Sequence, residues 1–304
     1  NYEGIIKSDL ARLETDKDKK IALLEGAVSD MTDGVSRCKE SISSNPVPAR
    51  IAAAGEFEDW FGGILDELYL ITEDRKILNR AIEVYDDAAE KFKKVNLPSR
   101  VAESYWRMAR NQDRLGNHQK ASEMFENAFR EYQDTAQKNP DFVDFYLDYA
   151  TYMKAWSEIE KAKFAHEHEE YATAMKHYEK TASLLKQSKL WSYLSSNFVA
   201  WAYLEHAEDL SRKERITESI EVFEKSAEAF KEAQEAIEEE IDKITLLDEK
   251  KRAIELSKAS LRRKDYCLAR SDVERARMYD LRGDYEKSAE TFDLAANKFE
   301  KILE

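Results

Sequence analysis

The 304-residue chain carries 62 Asp and Glu against 48 Lys and Arg, a formal charge of −14, with 42% hydrophobic and 36% charged residues but only 8 Gly and 4 Pro. So few turn formers exclude a sheet protein of this size, and no apolar run reaches the roughly 18 residues that span a bilayer. The apolar share suffices for a packed core, while the acidic balance argues against a nucleic-acid surface.

The opening residues Asn1 to Leu10 lack a basic flank, an apolar core and a small-residue cleavage site, so no secretory leader is expected there. Cys38 and Cys267 lie far apart and read as reduced thiols, which together with the missing leader suggests a cytoplasmic protein. Helical periodicity follows along the whole chain, built from Ala, Glu, Lys, Leu and Arg. It breaks at Asn45-Pro46-Val47-Pro48, Asn96-Leu97-Pro98, Leu115-Gly116-Asn117, Asn139-Pro140 and Arg282-Gly283-Asp284. Proline cannot donate the next backbone bond, and Gly or Asn tolerates the left-handed cap, so these are helix ends. From Asp141 to Arg282 no such breaker occurs, and Asp248 to Arg282 is predicted to be one helix of about 50 Å at 1.5 Å per residue.

An internal repeat emerges in chain order. A small residue is followed by a large one four positions on, a small one three later and a large one four later: Ala81, Tyr85, Ala88, Phe92. The pattern returns as Ala121, Phe125, Ala128, Tyr132, then Ala174, Tyr178, Thr181, Leu185. It returns again as Ser219, Phe223, Ser226, Phe230 and as Ser288, Phe292, Ala295, Phe299. This spacing marks one stripe of a helix, with small positions that admit a close neighbour. Twelve residues before each first small position stands Ala109, Ala162, Ala207 or Ala276, with Tyr69 as the exception. Each unit is therefore a helix A followed by a helix B. A degenerate copy, Ala27, Met31, Gly34, Cys38, falls in residues 1–63, read as an N-terminal helical cap. Residues 64–304 are read as five helix pairs continuous with it.

The set Ala276, Tyr279, Gly283, Asp284, Tyr285, Ser288, Phe292, Ala295, and the set Tyr105, Ala109, Gly116, Asn117, Ala121, Phe125, Ala128, resemble the tetratricopeptide repeat. The resemblance implies an all-α fold, an α-solenoid of antiparallel helix pairs wound into a right-handed superhelix. The family period is near 34 residues, whereas the first small positions here are separated by 40, 53, 45 and 69, so longer helices are expected. Long-helix variants are similar to the soluble attachment proteins that link the SNARE-disassembly ATPase to its substrates. The family register places Trp106, Arg110, Trp156, Lys163, Trp201, Glu208 and Arg277 toward the inner groove. Packing of the three tryptophans against their own helix B or the next repeat is the other arrangement open to them. The Lys/Asn/Arg clamp of chaperone-binding members is absent, its positions holding Trp106, Arg110, Trp156 and Glu160.

Catalytic signatures are missing. His166, His168 and His177 do not form a zinc-protease motif, since Glu170 stands where the second His is needed, and a solvated turn is expected there with no metal. Gly62-Gly63 is not followed by the Lys-Ser/Thr of a phosphate loop, no Gly-x-Ser-x-Gly elbow occurs, and no cofactor is expected. The runs Arg262-Arg263-Lys264 and Glu238-Glu239-Glu240 read as solvated faces. Trp60 and Trp191 read as core. The expected function is a non-catalytic protein- or peptide-binding scaffold, anchored by Trp106, Arg110, Trp156, Lys163, Trp201 and Arg277 on an acidic partner segment. Two alternatives stand beside it: an attachment-protein-like adaptor for an ATPase, and a small-molecule sensor or enzyme with a groove site.

Overall fold

The structure, a computed structural model, describes residues 3–245 and 247–303. Among the described residues there is no strand. The first six helices are α1 (Glu3–Leu13), α2 (Lys17–Ser44), α3 (Pro48–Thr72), α4 (Arg75–Lys94), α5 (Pro98–Arg114) and α6 (His118–Lys138). A 3₁₀ turn, Pro140–Phe142, leads into α7 (Val143–Glu167), followed by α8 (Tyr171–Gln187). A second 3₁₀ turn, Ser192–Leu194, precedes α9 (Ser195–Arg212), α10 (Ile216–Ile241), α11 (Leu247–Leu281) and α12 (Tyr285–Leu303). The all-α reading is thus met, and α11 is the long helix predicted from Asp248 onward. Two compact units, one up to Met153 and one from Lys154, divide inside α7.

Local chemistry explains the starts. Asp16 and Asp74 cap α2 and α4, accepting from the backbone N–H of Lys19 (3.0 Å) and Lys76 (2.9 Å), which satisfies donors a helix leaves open. Pro48 and Pro98 open α3 and α5, where a missing N–H costs nothing.

The ends repeat one backbone device. Gly116, Glu169, Glu214 and Gly283 all have φ between 58° and 76°. Each donates its N–H three residues back, to Asp113, His166, Ser211 and Asp280 respectively, and the next residue donates five back, to Gln112, Ala165, Leu210 and Tyr279. This double bond pattern is a Schellman cap. All four caps stand five residues before the first small position of helix B (Ala121, Ala174, Ser219, Ser288). Two of them use Glu, so the stretch from Asp141 to Arg282, read as free of breakers, is in fact interrupted at 168–170, 188–194, 213–215 and after Ile241. Residue type failed as a signal there because the following helix holds Glu169 and Glu214 in a region glycine would occupy without strain.

The first small position of every helix B is buried: Ala27, Ala81, Ala121, Ala174, Ser219 and Ser288. A more regular column lies nineteen residues earlier on helix A and was missed in the sequence: Ser8, Gly62, Ala102, Ala155, Ala200 and Ala269, all buried. It covers α1 and α2 as well, so the cap residues follow the same packing as the later pairs. The boundary expected at residue 64 falls within α3, one continuous helix shared by the cap and the first pair. In that pair α3 presents glycine. A Cβ on Gly62 would lie 2.4 Å from the Tyr85 ring, and one on Gly55 2.8 Å from Phe92. The α3–α4 turn also differs, with its left-handed residue Glu73 eight positions before Ala81 and its N–H donated to the carbonyl of Tyr69, which stands where the other pairs hold Ala.

Candidate functional site

In the unit from Lys154 onward, the helices A are the C-terminal part of α7, then α9 and α11. Fourteen residues before the first small position each carries a glutamate, Glu160, Glu205 and Glu274, and all three are fully buried. A buried carboxylate needs a partner, and each has one from its own helix or the preceding helix A. Lys163 Nζ donates to Glu160 at 2.8 Å. His166 Nδ1 stands 3.0 Å from Glu205. Ser211 Oγ donates to Glu274 at 2.7 Å, and Arg277 Nη1 reaches both its oxygens at 3.0 and 2.8 Å. The bonds His166–Glu205 and Ser211–Glu274 are equivalent steps, each tying the end of one helix A to the middle of the next. Burial raises the pKa of Glu205 against the opposing His166 bond, and the bond to Glu205 raises that of His166.

Helix B contributes hydroxyls to the same joint. Ser226 Oγ donates to the Ala200 carbonyl at 3.0 Å and Thr181 Oγ1 to that of Ala155 at 3.5 Å. Both pair the third position of the stripe with the small residue nineteen before the first.

The histidines are therefore more than a solvated turn. His168 does sit at the exposed end of α7, but His177 Nδ1 is 2.7 Å from the buried carboxylate of Glu158, which also receives Lys161 and Lys180 at 3.0 Å. Burial opposes the charge of Glu158, yet these three donors outweigh it and hold its pKa well below the usual carboxylate range.

The six expected binding residues fall into four settings. Trp106 on α5 meets Tyr152 edge-to-face, centroids 6.4 Å apart, and Arg110 lies one turn further along the same helix. Trp156 and Lys163 share α7, with the ammonium 6.0 Å from the indole centroid. Trp201 stacks on Tyr178 (5.4 Å), meets Phe230 edge-on (5.8 Å) and is covered by Arg263, whose guanidinium carbon is 4.7 Å from the ring. Arg277 is bound to Glu274. Trp156 and Trp201 occupy the same register, eighteen before the first small position, whereas Trp106 is at fifteen. All six are half-buried. Lys163 and Arg277 spend their charge on buried glutamates of their own helices, which sequence spacing did not reveal.

A hollow of about 420 Å³ opens between α9, α11 and α12. It is lined by Trp201, Leu204, Tyr266 and Ile302 together with Arg262, Arg263, His166 and Glu208. Glu208 is already held by Arg270 through two bonds, 3.0 and 2.6 Å. Burial pushes the Tyr266 hydroxyl up to about 12. The run Arg262-Arg263-Lys264, read as a solvated face, splits: Arg262 is exposed, Arg263 turns over Trp201, and Lys264 pairs with Asp265 at 3.5 Å. Only a tertiary partner for Trp201 distinguishes Arg263 from its neighbours.

The unit ending at Met153 has a smaller hollow, about 250 Å³, lined by Trp60, Arg12, Asp59 and Arg107 among others. Trp60 is 50% exposed rather than core, because Phe61, Ile64, Leu65 and Leu68 take the inward stripe of α3 and position 60 turns about 100° from it. Its cations are paired, Arg12 with Glu67 at 2.8 Å and Arg107 with Glu103 at 3.0 Å. Trp191, by contrast, is buried as expected. Both thiols are free. Cys267 donates to Ser226 Oγ at 3.3 Å, and burial pushes its pKa up to about 12.

No helix among the described residues is long and apolar enough to cross a membrane. No family model matches the chain, and no curated protein matches it. Among solved structures it is similar to BtubC (BKLC) from P. vanneervenii, with 14% identity and a TM-score of 0.41 over 92% of each chain.

Proposed function

We propose that the chain is a non-catalytic, tetratricopeptide-like helical scaffold that binds a protein or peptide partner along its helices A. The observation that carries this reading is the repetition itself. Four identical helix-pair turns, with small residues at matched positions nineteen and twelve residues before the first small position of helix B, are the mark of an array whose units stack on their neighbours and expose long rows of equivalent side chains. In the unit from Lys154 onward such an array would place Trp156, Lys163, Trp201 and Arg277 along one row, and Trp106 with Arg110 are the corresponding residues of the other unit. The buried carboxylates support the same reading, since Glu158, Glu205 and Glu274 are engaged in holding helices together by His177, His166 and Ser211. Aromatic and arginine side chains at half-buried positions are the usual anchors of an interface.

The test is selection of peptides from a displayed random library on the intact chain, followed by photo-cross-linking of the winners. Cross-links concentrated on α5, α7, α9 and α11 are expected. A failure to select any saturable binder, or cross-links confined to α4, α6, α8 and α10, would remove the reading.

A further inference from the structure

The hollow between α9, α11 and α12 contains a cation that the fold does not neutralise. The guanidinium carbon of Arg263 stands over the Trp201 ring at 4.7 Å, and its Nη1 is buried with no hydrogen-bond partner among the described residues. Every other arginine of this unit that lies against a ring or a buried carboxylate has an acid within reach: Arg270 has Glu208, Arg275 has Glu224 and Asp272, and Arg277 has Glu274. Arg263 and Arg262 make no ion pair among the described residues. A guanidinium taken out of water without a counter-charge destabilises a fold unless something else supplies the anion. Stacking on an indole leaves the in-plane N–H edge of a guanidinium available for a planar acceptor.

The rest of the hollow fits the remainder of such a ligand. Trp201, Leu204, Ala259, Tyr266 and Ile302 make apolar walls, and about 420 Å³ lies within the range that holds small organic ligands. The guanidinium selects the valence. Glu208 is held by Arg270, so Arg262 and Arg263 have no counter-charge from it, and the single fork beside Trp201 takes one carboxylate. On a chain of net charge −14 this is a local positive site.

From this geometry we infer that the hollow binds a small amphipathic monocarboxylate, its carboxylate on Arg263 with Arg262 beside it and its flat apolar body between Trp201, Tyr266 and Ile302. This site goes beyond the protein-binding reading and does not depend on it. A carboxylate matches the fork of a guanidinium with two parallel bonds, and an aromatic or long aliphatic body matches the walls.

The probe is 2-naphthoate, with 2-naphthalenemethanol as its uncharged counterpart, each titrated into the intact chain by calorimetry. Saturable naphthoate binding is expected at least about tenfold tighter than the alcohol, and weakening with added salt. Arg263→Gln is expected to bring naphthoate down to the affinity of the alcohol. Arg263→Met is expected to raise the melting temperature of the ligand-free chain while abolishing the preference for the acid, because it removes an uncompensated buried cation. If changes at 263 impair folding, Arg262→Gln, on an exposed side chain, decides: a several-fold loss of naphthoate affinity with an unchanged melt supports the site. Equal binding of acid and alcohol, naphthoate binding untouched by Arg263→Gln and Arg262→Gln, or no saturation at about 1 mM would each overturn the inference. Peptide selection bears on the scaffold reading alone, so the two stand or fall separately.

Discussion

The pairs α9/α10 and α11/α12 share one sequence register and reach different ends. In both, the aromatic of helix B stands four residues after the first small position. Phe223 in α10 is 0% exposed, whereas Phe292 in α12 is 42% exposed. The cause lies outside the pair. Helix α10 lies between α9 and α11, while α12 packs on α11, and its other side leaves Tyr285, Phe292 and Leu294 open among the described residues. A stripe that reads the same in sequence contributes burial only where a further helix covers it. The two pairs also close differently, with Glu214 in the left-handed position of one turn and Gly283 in the other. Their buried glutamates have different partners too, a histidine for Glu205 and an arginine with a serine for Glu274.

The sharpest way to test this contrast is truncation of the matched aromatics. Phe223→Ala should cost about 3–5 kcal/mol, the range for a large side chain removed from a packed core. Phe292→Ala should cost less than about 1 kcal/mol, as surface changes do. Denaturant melts of the two variants measure both, and equal losses would mean that α12 is covered in solution.

A second comparison sets α3/α4 against the later pairs. Gly62→Ala should destabilise by about 1–3 kcal/mol through overpacking against the Tyr85 ring. Every later pair carries an alanine at this position, nineteen before the first small one. A neutral Gly62→Ala melt would show that α3 can withdraw from α4.

The turns give a smaller effect of opposite sign. Glu214→Gly should stabilise by about 1 kcal/mol, since glycine enters the left-handed region without a Cβ clash. Gly283→Ala should destabilise by a similar amount. Thermal melts of these variants distinguish a turn held by its own residue from one imposed by the helices it joins.

The smallest effect concerns pH. The folded-state pKa of His166 is raised by Glu205, and that of Glu205 is raised by burial. Both groups therefore hold protons more tightly in the fold than in the unfolded chain. Their contribution is present below the unfolded values and fades as pH rises through the folded ones, for His166 above its ordinary 6.5. Because His166 is half-exposed, the loss between pH 6 and 8 should stay below about 1 kcal/mol. It should vanish in His166→Gln. Glu274 is held by a guanidinium and a hydroxyl, types without a titration near neutrality, so the loss caused by Ser211→Ala should be the same at pH 6 and pH 8.

Much of the fold was legible along the chain because helix periodicity, proline and glycine act locally. The breaks at Pro48, Pro98, Gly116, Asn139 and Gly283, the long α11 and the buried stripe of helix B all follow from residues within a few turns of one another. The turns at Glu169 and Glu214 were not legible, since nothing in a glutamate announces a left-handed backbone that only the docking of the next helix imposes. Candidate site residues divided in the same manner. Trp201 could be picked out as an unusual side chain at a matched register, but its cover by Arg263 joins residues 62 positions apart. Lys163 and Arg277 read as free cations because their partners Glu160 and Glu274 sit three residues away, where a charged pair and a solvated face have the same spelling. Which carboxylates are buried, and therefore which cations they consume, depends on how neighbouring helices close over them. Local sequence settled that the chain is helical and which face of helix B carries small residues. Burial, and with it the charge left over at Arg263, arises only when α9, α11 and α12 come together and exclude water.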